Sequence, residues 1–321
     1  MLCLKLFMEI HVKWRLEYRK HRYIEHLNNI ELEQRLKDIL LNTIVLTEEA
    51  KIGLPPISAE SMEWMELWTH VLEEMCIRHG PYPAGFENGF MKDFNLPHPC
   101  HGLADKAAKV VKELNFKIGE GLIKYGTAEY LKDTIEKGIV RIAPASYYSD
   151  SSLNHAIKDE ELEVFVQPHP STYKIEVIDG RTKQSKGTFQ PLDNKITTRS
   201  LTDYYVYCFS PVLVPRLFVD FEADACLVIT KPVIFINKLI AAFQKNMPHF
   251  ISGTGIVSYI DPLRSKNKTP QPIFSKHFRY SYQQEFRLIW LPPEIKEELS
   301  FVELNVTGLK DCCKLVTLDK T

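Results

Sequence analysis

Apolar positions recur at intervals of three and four through the first third of the chain: Phe7, Ile10 and Trp14, then Leu27, Ile30, Leu36, Ile39 and Leu40. That period sets them on one side of a helix, so residues 1 to about 118 read as a helical module. The widest stripe joins Trp64, Leu67, Trp68, Val71, Leu72 and Met75. It is entered through Pro55-Pro56-Ile57-Ser58 and closed by Gly80 and Pro81, which are helix start and stop signals. A face that broad and apolar predicts packing onto the remainder of the chain or self-association with a second copy. Prolines and glycines make Gly80 to Pro99 a loop, and Leu103, Ala107, Val110, Val111 and Leu114 mark one more helix.

Beyond Gly119 the texture changes to short apolar or alternating runs rich in β-branched and aromatic residues, separated by turn residues. Strands are predicted near Leu122–Tyr125, Ile139–Ala143, Leu162–Val166, Tyr173–Ile178, Tyr204–Ser210, Cys226–Thr230, Gly255–Ile260, Glu285–Leu291 and Phe301–Val306. Two helices interrupt them: Ala128–Lys137, with Gly138 as its C-cap, and Ile234–Asn246, whose apolar side carries Phe235, Leu239 and Phe243. The expectation is an α+β chain, with helices over 1–118 and a mainly β domain with inserted helices over 119–321.

Composition narrows the classes. The 321 residues are 45% hydrophobic and 25% charged, a globular balance. Lys+Arg at 40 against Asp+Glu at 41 leave no global field to draw in nucleic acid or an anionic membrane, so any such contact is local. Seven cysteines from Cys3 to Cys313 follow no regular spacing. With no secretory leader read at the start, they predict reduced thiols and a cytoplasmic location. The opening MLCLKLFMEI is interrupted by Lys5 and Glu9 and reads as helix. No run approaches the roughly 18 apolar residues of a spanning helix, so no membrane partner is expected.

Three segments carry candidate chemistry. Gly121 to Asp150 reads strand, turn at Gly126, helix N-capped by Thr127, Gly138, strand, polar loop. A glycine beside a helix N-terminus lets backbone N–H groups meet a phosphate or carboxamide, although such a turn also serves as a plain connection. In FSKHFRYSYQQEFRLIWLPPE, Gln283 and Glu285 lie two apart. On a strand they share a face opposite Phe286, Leu288 and Trp290, either acting on one ligand or simply solvated at an edge. In the third, Ser210 ends an apolar strand and follows Cys208. A cysteine between aromatics reads as a small core residue rather than a nucleophile.

In this order the segments resemble the ADP-ribosyltransferase superfamily. Tyr125-Gly126-Thr127 matches its first element, Tyr147 or Tyr148 its middle aromatic, and Gln283-x-Glu285 the strand that presents a carboxylate. The stretch is also similar to a bacterial family marked by K-Y-x-x-x-x-x-L, C-F-S and E-F-R-L, here Lys124-Tyr125, Cys208-Phe209-Ser210 and Glu285-Phe286-Arg287-Leu288. The resemblance covers about residues 120–310. It implies a split β-sandwich with NAD as substrate. ADP-ribose would pass to a protein or nucleic-acid acceptor, or to water, in the manner of intracellular toxins and anti-phage effectors. By the same resemblance Glu285 stabilises the oxocarbenium-like ribose, Gln283 orients the nucleophile and Tyr148 stacks on nicotinamide. Lys124 or Arg141 holds the pyrophosphate, and Tyr125, Gly126, Thr127 and Ser210 complete the NAD-binding set. The chain departs from the diphtheria-like pattern at Tyr125, where those members have His. Arg141 and a lone Ser210 stand in for the Arg and Ser-Thr-Ser of the arginine class.

Other readings compete. Arg287 shares the face of Glu285 and reads equally as its structural partner. The same fold with a degenerate site would be a non-catalytic module that binds a nucleotide, or a protein through the helical third. Asp224, Asp261 and Glu285 would be the acids of a nucleic-acid-processing enzyme, although the first two read as turn residues. Cys76, His79, His98, Cys100 and His101 match no metal template, so no metal is expected. Lys13, Arg15, Arg19, Lys20 and Arg22 among Trp14, Tyr18 and Tyr23 read as a solvated helix face before a nucleic-acid or partner surface.

Overall fold

The computed structural model describes residues 2–47, 49–81, 103–172, 174–190, 195–264 and 270–318, with backbone alone for 2–8. Helices α1 (Leu2–Lys20), α2 (Asn29–Thr43) and α3 (Ala59–His79) come first, with the two-residue strands β1 (Val45–Leu46) and β2 (Ile52–Gly53) between the last two. Asn28 and Ser58 start α2 and α3 with reciprocal capping boxes, to Glu31 and to Ser61. The predicted stripe forms the core of this module: Trp64, Leu67, Val71 and Met75 pack with Leu32, Leu36, Ile39 and Tyr18. It does not stop there. Trp64 stacks on Phe278 of the β portion with ring centroids 5.9 Å apart.

The arginines of the basic stretch pair within the module, while Lys13 and Lys20 stay exposed. Arg15 and Arg19 both bond Glu73, and Arg22 donates to Glu74 at 2.8 Å, while both acids are buried on α3. Charge neutralisation between two helices accounts for these arginines. Module and β portion are then tied by Arg35, which grips Asp261 at 2.9 and 2.7 Å. Burial alone would raise the Asp261 carboxyl, but the Arg35 guanidinium outweighs it and lowers the pKa. Asp261 therefore anchors α2 to the β portion, a role in place of a nuclease acid's. Arg35→Met should lower unfolding stability by about 3 kcal/mol in urea titration, by stranding Asp261. Arg35→Met/Asp261→Leu should recover much of that loss.

Helix α4 (Ala104–Leu114) precedes the expected boundary yet packs on the β portion, its Ala107 and Val110 sharing a core with Ile123, Tyr125, Cys226 and Val228. Then come β3 (Leu122–Gly126), α5 (Ala128–Glu136), β4 (Ile139–Pro144), β5 (Glu163–Val166), β6 (Ile175–Ile178), β7 (Ser185–Phe189), β8 (Ile196–Arg199) and β9 (Tyr205–Phe209). The chain continues through α6 (Pro215–Asp220), β10 (Ala225–Ile229), α7 (Pro232–Asn246), β11 (Ile251–Ile256), β12 (Ser258–Ile260), β13 (Ser275–His277), β14 (Phe286–Leu291), β15 (Val302–Asn305) and β16 (Cys313–Thr317). Two antiparallel sheets face each other, β16-β10-β3 and β11-β14-β9-β4-β15. Their inner faces meet in one core, where Leu227 and Ile229 join Val140, Ile142, Tyr205, Leu288 and Trp290. Phe235, Leu239 and Phe243 of α7 are fully buried there, with Phe243 stacked on Trp290 at 4.5 Å. The expected α+β split sandwich is present, and along one edge its sheets are joined where Ile123 and Ser210 exchange backbone bonds of 2.7 and 2.8 Å.

Four differences from the sequence reading have local causes. Strands β7, β8 and β16 lie in polar or Cys-Lys-interrupted runs without alternation. The short helix α6 is set by Pro215 at its first turn. Gln283 is not on a strand: it closes a 3₁₀ turn over Phe278–Gln283, Gln284 takes a left-handed φ of 46°, and β14 begins only at Phe286. Lys137, not Gly138, caps α5. Gly138 is nonetheless required, since its φ is +74° and a Cβ would lie 2.2 Å from the Val306 carbonyl oxygen.

Candidate functional site

Where the two sheets part beside Ile123 and Ser210, a cleft of about 450 Å³ opens, within the size range of small-molecule sites. Its walls come from β3 and the start of α5, from the loop with Tyr147 and Tyr148, from the end of β9, and from Lys276, Gln283 and Glu285. Lys124, Tyr125, Gly126, Thr127, Tyr148, Ser210, Gln283 and Glu285 thus reach one cavity. Arg141 does not: it is exposed on β4, with its guanidinium 3.8 Å over the ring of Phe301. It is not placed to hold a pyrophosphate in this cleft.

Several side chains already have partners. The Tyr125 hydroxyl donates to Val212 O at 3.0 Å and accepts from Val214 N at 3.1 Å, and its ring packs on Phe218 away from the sandwich core. Ser210 Oγ donates to Gln283 O at 3.1 Å. Thr127 caps α5, but the N-terminus is occupied by Asp224, whose carboxylate accepts from Ala128 N at 2.6 Å. A negative charge there competes with any phosphate at that helix end. It also gives Asp224 a capping role rather than a metal-binding one. Gly126 has ordinary space for a Cβ against Leu131. Burial pushes the Cys208 thiol up to about 12, so it stays protonated and is a poor nucleophile. Among the described residues no group of His, Cys, Asp and Glu is disposed to hold a metal. His98, Cys100 and His101 lie outside them.

Glu285 is the electrostatic centre. Its backbone is fixed by Val257 N, which donates to Glu285 O at 3.0 Å, and by Glu285 N donating to Tyr259 Oη at 2.8 Å. Its carboxylate accepts from Lys276 Nζ at 2.6 Å and from Arg287 Nε at 3.0 Å. Burial would raise its pKa, but the two cations outweigh that and bring it down to about 2. Lys276 also meets Gln283 Oε1 at 3.2 Å, Glu161 at 3.4 Å and Asp159 at 3.7 Å, and Arg287 bonds Glu161 at 2.7 Å. Three acids and two bases form one buried network. Lys276 and Glu161 escaped the sequence reading. The available signals were the period-two acids Asp159, Glu161 and Glu163 and the basic Lys276 nine residues before Glu285.

Lys124 is different. Among the described residues its ammonium makes no hydrogen bond or ion pair, and it lies 4.3 Å over the ring of Tyr207. Burial lowers its pKa, opposed weakly by Cys208 and Glu285. An unpaired cation in a cleft lined by Tyr147, Tyr148 and Phe209 fits a ligand with an anionic group and a flat ring.

The network has a pH signature. Burial raises Asp159 to about 6, above its value of 3.8 in an unfolded chain. The folded state therefore holds that proton more tightly, and the stability so gained is full below about pH 4 and lost as pH rises through 6. Asp159→Asn removes the effect. In thermal melts the variant should gain on the wild type between pH 4 and 6 and keep a constant lead above that.

Comparison with protein-family models, curated proteins and solved structures finds no match for this chain. Among the described residues no helix is long and apolar enough to cross a membrane.

Proposed function

We propose that the cleft binds NAD as a substrate and breaks its nicotinamide–ribose bond, passing ADP-ribose to a protein or nucleic-acid acceptor or to water. The observation that carries this reading is an ionised carboxylate, Glu285, held beside Glu161 against an aromatic-lined cleft at the point where the sandwich splits. Positive charge develops on the ribose as the bond lengthens, and a fixed carboxylate stabilises it. Tyr147 and Tyr148 offer faces for nicotinamide, and Lys124 offers the one unpaired ammonium of the described cleft to a phosphate. A role as an intracellular toxin or anti-phage effector belongs to the same proposal.

One observation favours a second reading. Both oxygens of Glu285 are engaged by Lys276 and Arg287, which suits a module that binds a nucleotide without cleaving it. Binding comes first in either case. NAD should raise the melting temperature of the wild type, and Lys124→Met and Tyr148→Ala should each weaken the affinity tenfold or more in calorimetric titration. Equal binding by all three proteins would remove this cleft from both readings.

A further inference from the structure

Behind Lys276 lies a second cavity, of about 400 Å³, at the junction of α2 with β5, β8 and β13. Lys276 lines both cavities, and so the two are separated by one ammonium and its acids. On the cleft side it holds Glu285 at 2.6 Å; on the other it faces Asp159 at 3.7 Å, which lines the second cavity alone. Glu161, at 3.4 Å, lines the cleft and is also held by Arg287.

We infer that Lys276 is a positioning residue through which the charge on Asp159, in the second cavity, controls how Glu285 is held in the cleft. The inference extends the proposed function, because it assigns a control point to the same carboxylate, but the geometry it rests on is independent of NAD. With Asp159 ionised, Lys276 is shared by three carboxylates and its bond to Glu285 weakens. With Asp159 neutral or masked by a bound cation, Lys276 swings its field to Glu285 and Glu161.

The surroundings of Asp159 leave it the group that changes charge near pH 6. Arg287, Glu285 and Glu161 face it from the network; Arg279, Tyr280 and Tyr204 face it from the 3₁₀ turn and the start of β9. Burial holds Tyr204 and Tyr280 neutral and Arg279 is kept charged. His277, beside Lys276, is pushed down to about 3 by burial and is neutral across that range. Asp38, across the cavity on α2, is raised to about 6 by burial, and Glu160, also lining it, is raised by burial too, so both acids must be controlled for.

Nuclear magnetic resonance on the full chain, labelled with ¹⁵N-lysine and with ¹³C in the glutamate carboxyl, tests this without NAD. Lys276→Arg and Glu285→Gln assign the two signals. In the wild type both should titrate with a midpoint near pH 6; in Asp159→Asn both should be flat from pH 5 to 7.5, and in Asp38→Asn and Glu160→Gln they should titrate as in the wild type. A midpoint that survives Asp159→Asn, one that disappears in Asp38→Asn or Glu160→Gln, or a wild type flat across the range would overturn the coupling. Absence of NAD turnover would leave these titrations unchanged, so the two proposals fail separately.

Discussion

Arg287→Met should cost the fold on the order of 3–5 kcal/mol, because it strands Glu285 and Glu161 in a buried network that then carries three acids and one base. Arg287 is fully buried and also donates to Ile273 O at 3.0 Å, so no water replaces the lost bonds. A loss of that size lowers the melting temperature by roughly 10 °C in a chain of this size. Arg287→Met/Glu161→Met removes a charge of each sign and should recover a large part of the loss. A single variant that melts within about 2 °C of the wild type would mean that the network is solvated and weak.

Glu285→Gln should reduce nicotinamide release by a factor on the order of 10² to 10³, the usual cost of deleting one preorganised charge at a developing ion. The structure adds a consequence that the residue pattern left open. The sequence leaves open whether Glu285 also partners Arg287, and the 3.0 Å bond shows that it does, whatever its part in catalysis. The variant should therefore also melt lower, and its activity must be read well below its melting temperature. Lost stability with undiminished release would assign Glu285 to the scaffold.

Helix faces and the buried strands were legible because they repeat. Trp64, Leu67, Val71 and Met75 face a core as their spacing requires, and so do Leu288 and Trp290. The residues with candidate chemistry were legible as types and less so in their geometry. Gln283 and Glu285 were placed on one strand because they stand two apart, yet a left-handed Gln284 ends a turn between them, and they meet at Lys276 instead. Period-two spacing cannot reveal a turn that depends on the partner of a side chain distant in sequence. The same limit hid Asp261, whose role depends on Arg35 of α2, and the arginines of α1 and of the turn after it, which are neutralised by Glu73 and Glu74 some fifty residues later. Arg141 matched a motif by order alone, and the alternation of β4 puts it on the exposed face, opposite the buried Val140 and Ile142.

The most direct measurement is free nicotinamide by chromatography after incubating the purified full chain with NAD, with and without a cell extract as a source of acceptors. The account predicts release that is linear in time and in protein, beyond the spontaneous rate, and abolished in a folded Glu285→Gln protein. NAD that binds, protects the chain from melting and is recovered intact under both conditions would contradict it and leave a binding module in its place.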